Sequence, residues 1–450
     1  MFTVLVKKEI LNNILSFRFA VTFLLFFLLI SGSVLMMAAN HQKQVLDYSN
    51  AKAAYRQRIS QMRDYNEFEI FGMTDRRRPN RLSIFAMGLE PDMSRSVTNS
   101  QMRNVEIGGT PYANPLFALF STPDVTYIVN IVVSLLAILF VFDAVSGERE
   151  EETLKLILSN PVPRDMILMG KCVGSLVCLC AAFLISLGVG LVAARVSMSL
   201  VFTPGQWLRI GILIMTSLLY ISSFLMLGLF ISTCVRGSGT SLMISLLAWV
   251  VLVLGIPNVV PIVARQVVPL ESTQKLASEM RAIEQEEWEA VKKTMRRGMS
   301  REESRRIFTE TRRTIEDRSE ALTDSYMNKF VNQASVARVM SRISPSACFT
   351  YASTTLTGTG VDAYEGFIRY VHEDFRDQFE ASLSEIRRPS RSRRESSDQV
   401  DLTKLPEFAL TGPTTELILK DSLLDIALLF VYNTLFFLGA FVRFLRYDVN

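Results

Sequence analysis

The chain has 450 residues, of which 49% are hydrophobic and 20% are charged, and its formal net charge is +4. Together with a positive mean hydropathy of +0.26, this balance fits a polytopic membrane protein with sizeable water-exposed parts better than a soluble enzyme. The modest net charge does not indicate nucleic-acid binding, and no basic run is interleaved with aromatic residues as base stacking requires.

The amino-terminal residues 1–18 are predicted to form an amphipathic helix at the membrane surface. Their apolar residues share one helical face, opposite Lys8 and Asn12. The apolar run 19–39 that follows is long enough to be the first membrane span. Because Lys8 and Arg18 precede this span, the positive-inside rule places the amino terminus in the cytoplasm.

Residues 40–123 form a first polar insertion, which is expected on the extracytoplasmic side. The sequence allows a helix over 43–65 and then shows loop signals, including the cluster RRRPNR at 76–81. This cluster is either a solvated run, which is the commoner case, or a binding site for an acidic substrate or a lipid headgroup.

The second predicted span, 124–142, is followed by a short segment at 143–165, here called the coupling segment. Ser146-Gly147 interrupts the apolar run, and the acids at 150–152 favour the positive end of a new helix. The residues Leu154, Ile157 and Leu158 then recur at helical spacing, so the helix should have one free apolar edge. Proline ends the helix at 161 and 163.

Three further spans are predicted at 166–194, 206–234 and 238–260. In the first of them, Gly170 and Gly174 offer a small surface on which another helix can pack, either within the subunit or in a dimer. The turn at 236–239 contains a GxG pattern without the GK[ST] of a phosphate-binding loop, so it is not interpreted as a nucleotide site.

A second large polar insertion, 261–422, precedes the sixth span at 423–445. Charged residues at spacings of three and four over 271–330 favour a long helical hairpin that breaks near Gly298. Residues 387–403 are rich in Arg and Ser and nearly devoid of apolar residues, so they are expected to be mobile. The fold class is therefore an all-α polytopic membrane protein with about six transmembrane helices, a coupling helix and two largely helical extracytoplasmic insertions.

The coupling segment resembles the cytoplasmic coupling segment of permease subunits in the ABC type 2 exporter superfamily. The matching pattern is SGERE at 146–150, ETL at 152–154, LSNPV at 158–162 and Arg164. Many relatives carry Gly immediately before the Thr, where this chain has Glu152. A weaker resemblance, in the order SP at 344–345, LTGTG at 356–360 and Phe367, is to permeases with a large extracytoplasmic domain of unknown function.

The resemblance implies that this segment docks on a separate ATP-binding subunit and relays its closure into the membrane. The implied contact residues are Gly147, Glu148, Arg149, Glu150, Glu152, Thr153, Leu154, Ile157, Leu158, Pro161 and Arg164. It also implies a second permease copy or paralogue, with ATP and Mg bound on the partner ATPase. Both termini are expected to be cytoplasmic, in a multi-pass protein of the inner (plasma) membrane.

The sequence predicts no catalytic residue, metal site or cofactor site in this chain. It has no phosphate-binding glycine loop, kinase signature, serine-hydrolase elbow or two-histidine metal motif. The five cysteines lack CxxC spacing, so neither a zinc site nor a disulfide framework is expected.

Three functions are compared. The first is a permease that exports a substrate when its ATPase partner hydrolyses ATP. The second is a mechanotransmitting or scaffold subunit that acts on an extracytoplasmic protein without moving cargo, and the long charged helices motivate it. The third, an intramembrane enzyme, ranks last because the spans offer little beyond Ser, Thr, Cys and Tyr220.

Overall fold

The computed structural model describes most of the chain. The described residues are 2–61, 73–91, 96–100, 104–108, 123–154, 159, 163–198, 200–294, 300–387, 405–410 and 412–446. Helices dominate them, and the prediction of an all-α polytopic membrane protein is confirmed. Within these residues, six helical stretches are long and apolar enough to cross a membrane: Phe17–Gln61, Val125–Glu150, Arg164–Met198, Pro204–Cys234, Ser238–Val267 and Thr415–Leu445.

The chain divides into two compact units. The first combines Met1–Leu254 with Ser344–Asn450, and the second is Gly255–Ile343. The first unit holds the coupling segment.

Helix α1, Phe2–Ile14, packs on the spanning helix Arg164–Met198, here called α6. The two glycines in the small-residue pattern of α6 make this approach close: a Cβ at Gly174 would lie only 2.6 Å from the Cβ of Glu9, and Gly170 faces Leu5. This small surface therefore serves packing within the subunit.

Helix α2 is one continuous element, Phe17–Gln61, and is much longer than the predicted first span, 19–39. No proline or glycine interrupts residues 40–61, so the helix continues into the polar insertion. Lys52, on this extension, forms a buried ion pair with Asp75 at 2.8 Å, and Asp75 also accepts a hydrogen bond from the backbone N–H of Phe408. These bonds join the two polar insertions.

The first insertion contains three short strands that the sequence analysis did not predict. They are β1, Met73–Arg76, β2, Ser96–Ser100, and β3, Asn104–Gly108, in an antiparallel sheet of order β1-β2-β3. In the register, Met73 lies opposite Asn99 and Ser100 lies opposite Asn104. A 3-10 turn, Arg81–Ile84, lies between β1 and β2.

The second spanning helix is divided by a π-helical segment. It runs through α3, Val125–Ile128, the π segment Val129–Val133, and α4, Ser134–Val141. Asp124 caps α3 by accepting a hydrogen bond from the backbone N–H of Tyr127. The coupling segment then contains the short helix α5, Ser146–Glu150.

Two further helices of the first unit follow α6. Helix α7 is Pro204–Cys234, with a capping box between Thr203 and Gln206, and helix α8 is Ser238–Trp249, followed by the π segment Val250–Gly255. We call the end of these helices where Asp143, Thr233 and Ser238 lie the coupling end. The opposite end, at Asp124, Arg195 and Thr203, is the far end.

The second unit is helical in its described residues. It contains α9, Ile256–Val267, α10, Thr273–Thr294, and α11, Arg301–Ser341. Helices α10 and α11 pack together, with the Trp288 and Phe308 rings 5.5 Å apart and Arg318 paired with Glu286 and Glu287. The predicted break near Gly298 lies outside the described residues.

The remaining helices return to the first unit. They are α12, Pro345–Thr357, α13, Val361–Arg369, a π segment Tyr370–Phe375, α14, Arg376–Arg387, and α15, Thr415–Leu445. Helix α15 begins eight residues before the predicted sixth span, 423–445, because Thr414 has extended geometry and the helix starts at the next residue. The segment predicted to be mobile, 387–403, lies outside the described residues beyond Arg387.

The motif SP…LTGTG…F has a structural role in this unit. Pro345 occupies the first turn of α12, where its missing N–H has no cost, and Gly358 ends α12 with a left-handed φ of 70°. Thr359 then donates a hydrogen bond to the carbonyl of Ala86 at 2.9 Å, and Phe367 is buried with Phe375 and Phe408. The motif thus attaches α12 to the first polar insertion.

Candidate coupling site

The coupling segment is described at residues 143–154, 159 and 163–165. Its helix α5 begins at Ser146, before the acids where the sequence placed the helix start, and ends at Glu150. Glu152 then adopts a left-handed backbone with φ of 59°, and helical backbone resumes at Thr153. A residue with positive φ interrupts a right-handed helix, so the segment has two helical parts instead of one.

The start of α5 is capped by a side chain from another helix. The hydroxyl oxygen of Ser232, near the end of α7, accepts hydrogen bonds from the backbone N–H groups of Val145 (3.1 Å) and Ser146 (3.0 Å). The first N–H groups of a helix have no partner inside it, so this serine takes the place of a local cap. The contact fixes α5 against the coupling end of α7.

Glu148 belongs to a buried charge cluster. Its carboxylate lies 2.6 Å from the ammonium of Lys171 on α6, and Glu9 of α1 lies 3.7 Å from the same ammonium. The Lys171 side chain is only 9% exposed, so both carboxylates help to compensate a charge that has lost most of its water. The cluster joins α1, α5 and α6.

The next two residues bind opposite helix ends. Arg149 donates hydrogen bonds to the carbonyls of Val235 (2.9 Å) and Thr233 (3.4 Å), where α7 ends and the helix dipole is negative. Glu150 accepts hydrogen bonds from the backbone N–H (2.8 Å) and hydroxyl (2.6 Å) of Ser238, where α8 begins and the dipole is positive. Each charge therefore has the favourable sign for the helix end that it contacts.

The segment is also held where it leaves the second spanning helix and where it enters α6. Arg18, in the first turn of α2, forms an ion pair with Asp143 at 2.6 Å and lies over the Phe142 ring. At the other end, Arg164 donates a hydrogen bond to the carbonyl of Leu445 at 3.3 Å, near the end of α15. Gly147 packs tightly, because a Cβ there would lie 3.3 Å from the Cβ of Asp143.

The predicted apolar edge is only partly described. Leu154 is 1% exposed and belongs to the main hydrophobic core, so within this chain it is not part of a free edge. Ile157, Leu158 and Pro161 lie outside the described residues. In the described part of the segment, the exposed side chains beyond α5 include Glu151 and Glu152, while Thr153 is half-buried and donates a hydrogen bond to the carbonyl of Glu148.

Several partners of the segment were not predicted from the sequence. They are Glu9, Arg18, Asp143, Lys171, Ser232 and Ser238. A lysine at the start of an apolar span was the clearest available signal, since a buried ammonium requires a carboxylate. Serines that bond to a distant backbone give no comparable pattern in the sequence.

Polar residues inside the spans were also underestimated. Asn130, in the π segment of the second spanning helix, accepts hydrogen bonds on its side-chain oxygen from the hydroxyls of Tyr220 (2.7 Å) and Ser346 (2.7 Å). Asn433 of α15 bonds to Ser222 and Ser223 of α7. Asp425 of α15 is 1% exposed. The sequence reading of these spans as offering little beyond Ser, Thr, Cys and Tyr220 was therefore incomplete.

Comparison with known proteins covers nearly the whole chain. The family model described as ABC-2 family transporter protein matches residues 3–449. A search against curated proteins found none that matches. The family match includes both polar insertions as well as the spanning helices, so it supports one assignment for the entire chain.

Proposed function

Because this chain belongs to the ABC-2 family of transporter proteins and is a membrane permease subunit of an ABC transporter, we propose that a separate ATP-binding subunit drives it through the coupling segment. ATP and Mg would bind to that partner, and closure of the partner would move the segment. A substrate would then be exported along a path between two permease subunits, either identical or paralogous. In this arrangement both termini are cytoplasmic and the chain spans the inner (plasma) membrane.

The connections of the coupling segment carry the proposal. In the described part of the chain, this segment contacts α2 through Asp143, α6 through Glu148, α7 through Arg149 and α8 through Glu150. Hydrogen bonds to charged groups oppose movement of the segment relative to these helices, because breaking one leaves a charge or a helix end without its partner. A push on α5 would therefore displace several spanning helices together.

The docking surface that we propose is smaller than the one that the resemblance implied. Glu148, Arg149 and Glu150 bind groups of this chain, and Leu154 is buried, so these four residues are positioned to transmit force inside the permease. We assign the contact with the ATPase to the exposed acids Glu151 and Glu152. A partner that meets them needs a basic surface.

Charge reversal at these acids tests the proposal. The variant Glu151→Lys/Glu152→Lys should lose co-purification with its ATP-binding subunit while keeping the melting temperature of the wild type. Glu310→Lys, an equally exposed acid on α11, is the matched control and should co-purify normally. Normal co-purification and normal export by the double variant would refute the assignment.

The sidedness of the segment has its own measurement. A cysteine introduced at Glu151, in a Cys180→Ser/Cys234→Ser background that removes the two native cysteines that are not buried, should react with a membrane-impermeant maleimide only after cells are permeabilised. Reaction in intact cells would place the coupling segment outside and would contradict the cytoplasmic location.

A mechanotransmitting role is the second candidate. Helix α11 has 41 residues and is therefore about 60 Å long at 1.5 Å per residue, and its surface is highly charged. Such a rod suits transmission of movement to an extracytoplasmic protein. A reconstituted complex that hydrolyses ATP without substrate flux, and that retains a bound extracytoplasmic protein, would favour this role over export.

A further inference from the structure

Two arginines bond to the same loop at the far end of the spanning helices. Arg81, at the start of the 3-10 turn, donates a hydrogen bond to the carbonyl of Val201 at 3.0 Å. Arg195, in the last turn of α6, donates one to the carbonyl of Leu200 at 2.8 Å. Both arginines therefore bond to the same short loop, at the consecutive residues Leu200 and Val201.

Their positive charge is not neutralised within the described part of the chain. No described carboxylate forms an ion pair with either arginine, and each guanidinium has five N–H donors, of which the bond to the loop uses one. Arg195 is exposed and Arg81 is half-buried. Two cations that bond to one loop, each with donors that these bonds leave unused, favour an anion with several oxygen atoms, such as a phosphate group.

An apolar cleft opens beside Arg195. Its lining residues are Val34, Ile84, Leu191, Ala194, Arg195, Leu200, Phe202 and Trp207. Ile84 lies in the same 3-10 turn as Arg81, so both arginines are connected to the wall of the cleft. The Phe202 and Trp207 rings meet edge to face at 5.5 Å.

The position of the cleft matches a membrane surface. Arg195 lies near the end of one spanning helix and Trp207 near the start of the next. Trp207 is 49% exposed, and tryptophan is enriched where the hydrocarbon of a bilayer meets its headgroups. A ligand here must therefore combine an apolar chain at the cleft with an anionic group at its edge.

We propose that this cleft binds one anionic phospholipid from the leaflet at the far end of the spans. Its phosphate contacts Arg81 and Arg195, and one acyl chain lies against Leu191, Phe202 and Trp207. A soluble phosphate would use the arginines but leave the apolar wall uncovered, whereas a zwitterionic lipid would cover the wall but bring no net negative charge. The binding is independent of the proposed ATPase contact, which lies at the opposite end of the helices.

Quenching of Trp207 fluorescence tests the proposal on the full-length chain in lipid nanodiscs. Phosphatidylglycerol with brominated acyl chains should half-quench the Trp207 signal at a mole fraction roughly tenfold lower than brominated phosphatidylcholine, because two arginines favour the anionic headgroup. High salt should reduce this difference. Equal quenching by the two lipids in the wild-type chain would overturn the proposal without any variant.

Variants locate the effect. Arg81→Gln/Arg195→Gln should remove the preference for phosphatidylglycerol, and Arg265→Gln, at an exposed arginine near the end of α9, should retain it. The Trp207→Phe variant should lose the headgroup-dependent quenching, because the remaining tryptophans are Trp249 and Trp288. A difference between the two lipids that persists in Trp207→Phe, or that added inorganic phosphate alone abolishes, would contradict a lipid site in this cleft.

Discussion

The ammonium of Lys171 lies 2.6 Å from the carboxylate of Glu148 and connects the coupling segment to α6. Glu9 reaches the same ammonium from α1. One buried cation therefore holds together an amino-terminal helix, a short helix of the coupling segment and a spanning helix. Its removal should affect both the stability of the fold and the transmission of movement.

Replacing Lys171 by Met should lower stability by about 1–3 kcal/mol, since it leaves two carboxylates close together without a cation. This loss of stability is smaller than that expected for breaking a fully buried ion pair, because the Glu148 and Glu9 side chains are 23% and 24% exposed and water partly screens their charges. The double variant Lys171→Met/Glu148→Gln should recover part of the loss. Thermal unfolding in detergent provides the measurement. The control is Lys275→Met, at an exposed ion pair, which should change the melting temperature little. If the melting temperature falls equally in both lysine variants, the ion pairs of Lys171 contribute no special stability.

Glu152 holds a left-handed backbone that glycine adopts without strain. Glu152→Gly should therefore be neutral or stabilising, by up to about 1 kcal/mol, because relief of strain offsets the entropy that glycine loses on folding. Glu151→Gly is the control: φ of Glu151 is −83°, so glycine has no advantage there. If the melting temperature falls equally in both variants, position 152 is not strained.

Tyr220 donates its hydroxyl hydrogen to Asn130 inside the spans, and its ring stacks on Phe349 at 4.4 Å. Tyr220→Phe keeps the stacking but removes the donor, so it should cost about 0.5–2 kcal/mol. Tyr127→Phe removes a hydroxyl from a side chain that is 46% exposed and should have almost no effect. Equal melting temperatures for the two variants would show that the Asn130 contact contributes nothing measurable.

Glu407, in the second insertion, makes the stability of the fold depend on pH. A hydrogen bond from Arg56, assisted by Lys52, lowers the pKa of this carboxyl below its usual value. A group whose pKa is lowered by folding stabilises the fold above its unfolded pKa, and this contribution disappears as pH falls through the folded pKa. The difference in melting temperature between wild type and Glu407→Gln should therefore be largest near neutral pH and shrink on acidification below the ordinary glutamate range. A difference that grows with acidification would be inconsistent with this ion pair.

The features that the sequence predicted correctly are those that leave a clear local pattern of apolar or small residues. Apolar runs were enough to predict spanning helices, and Gly170 with Gly174 marked a packing surface. The lengths of α2 and α15 were underestimated, because a hydropathy pattern locates the lipid-facing part of a helix and gives no signal where the same helix continues into water. The strands β1 to β3 were missed because segments of four or five residues have little pattern of their own.

For the coupling segment, residue identity and spacing determined where the segment lies and which family it resembles, because apolar length, proline breaks and charge order are local properties of the chain. Only the tertiary structure decided what its charges do. Lys171 meets Glu148 and Glu9, and Ser232 caps Ser146, because folding brings together groups that lie far apart in sequence. The low exposure of Leu154 is likewise a property of the surrounding helices, and helical spacing alone could not reveal it.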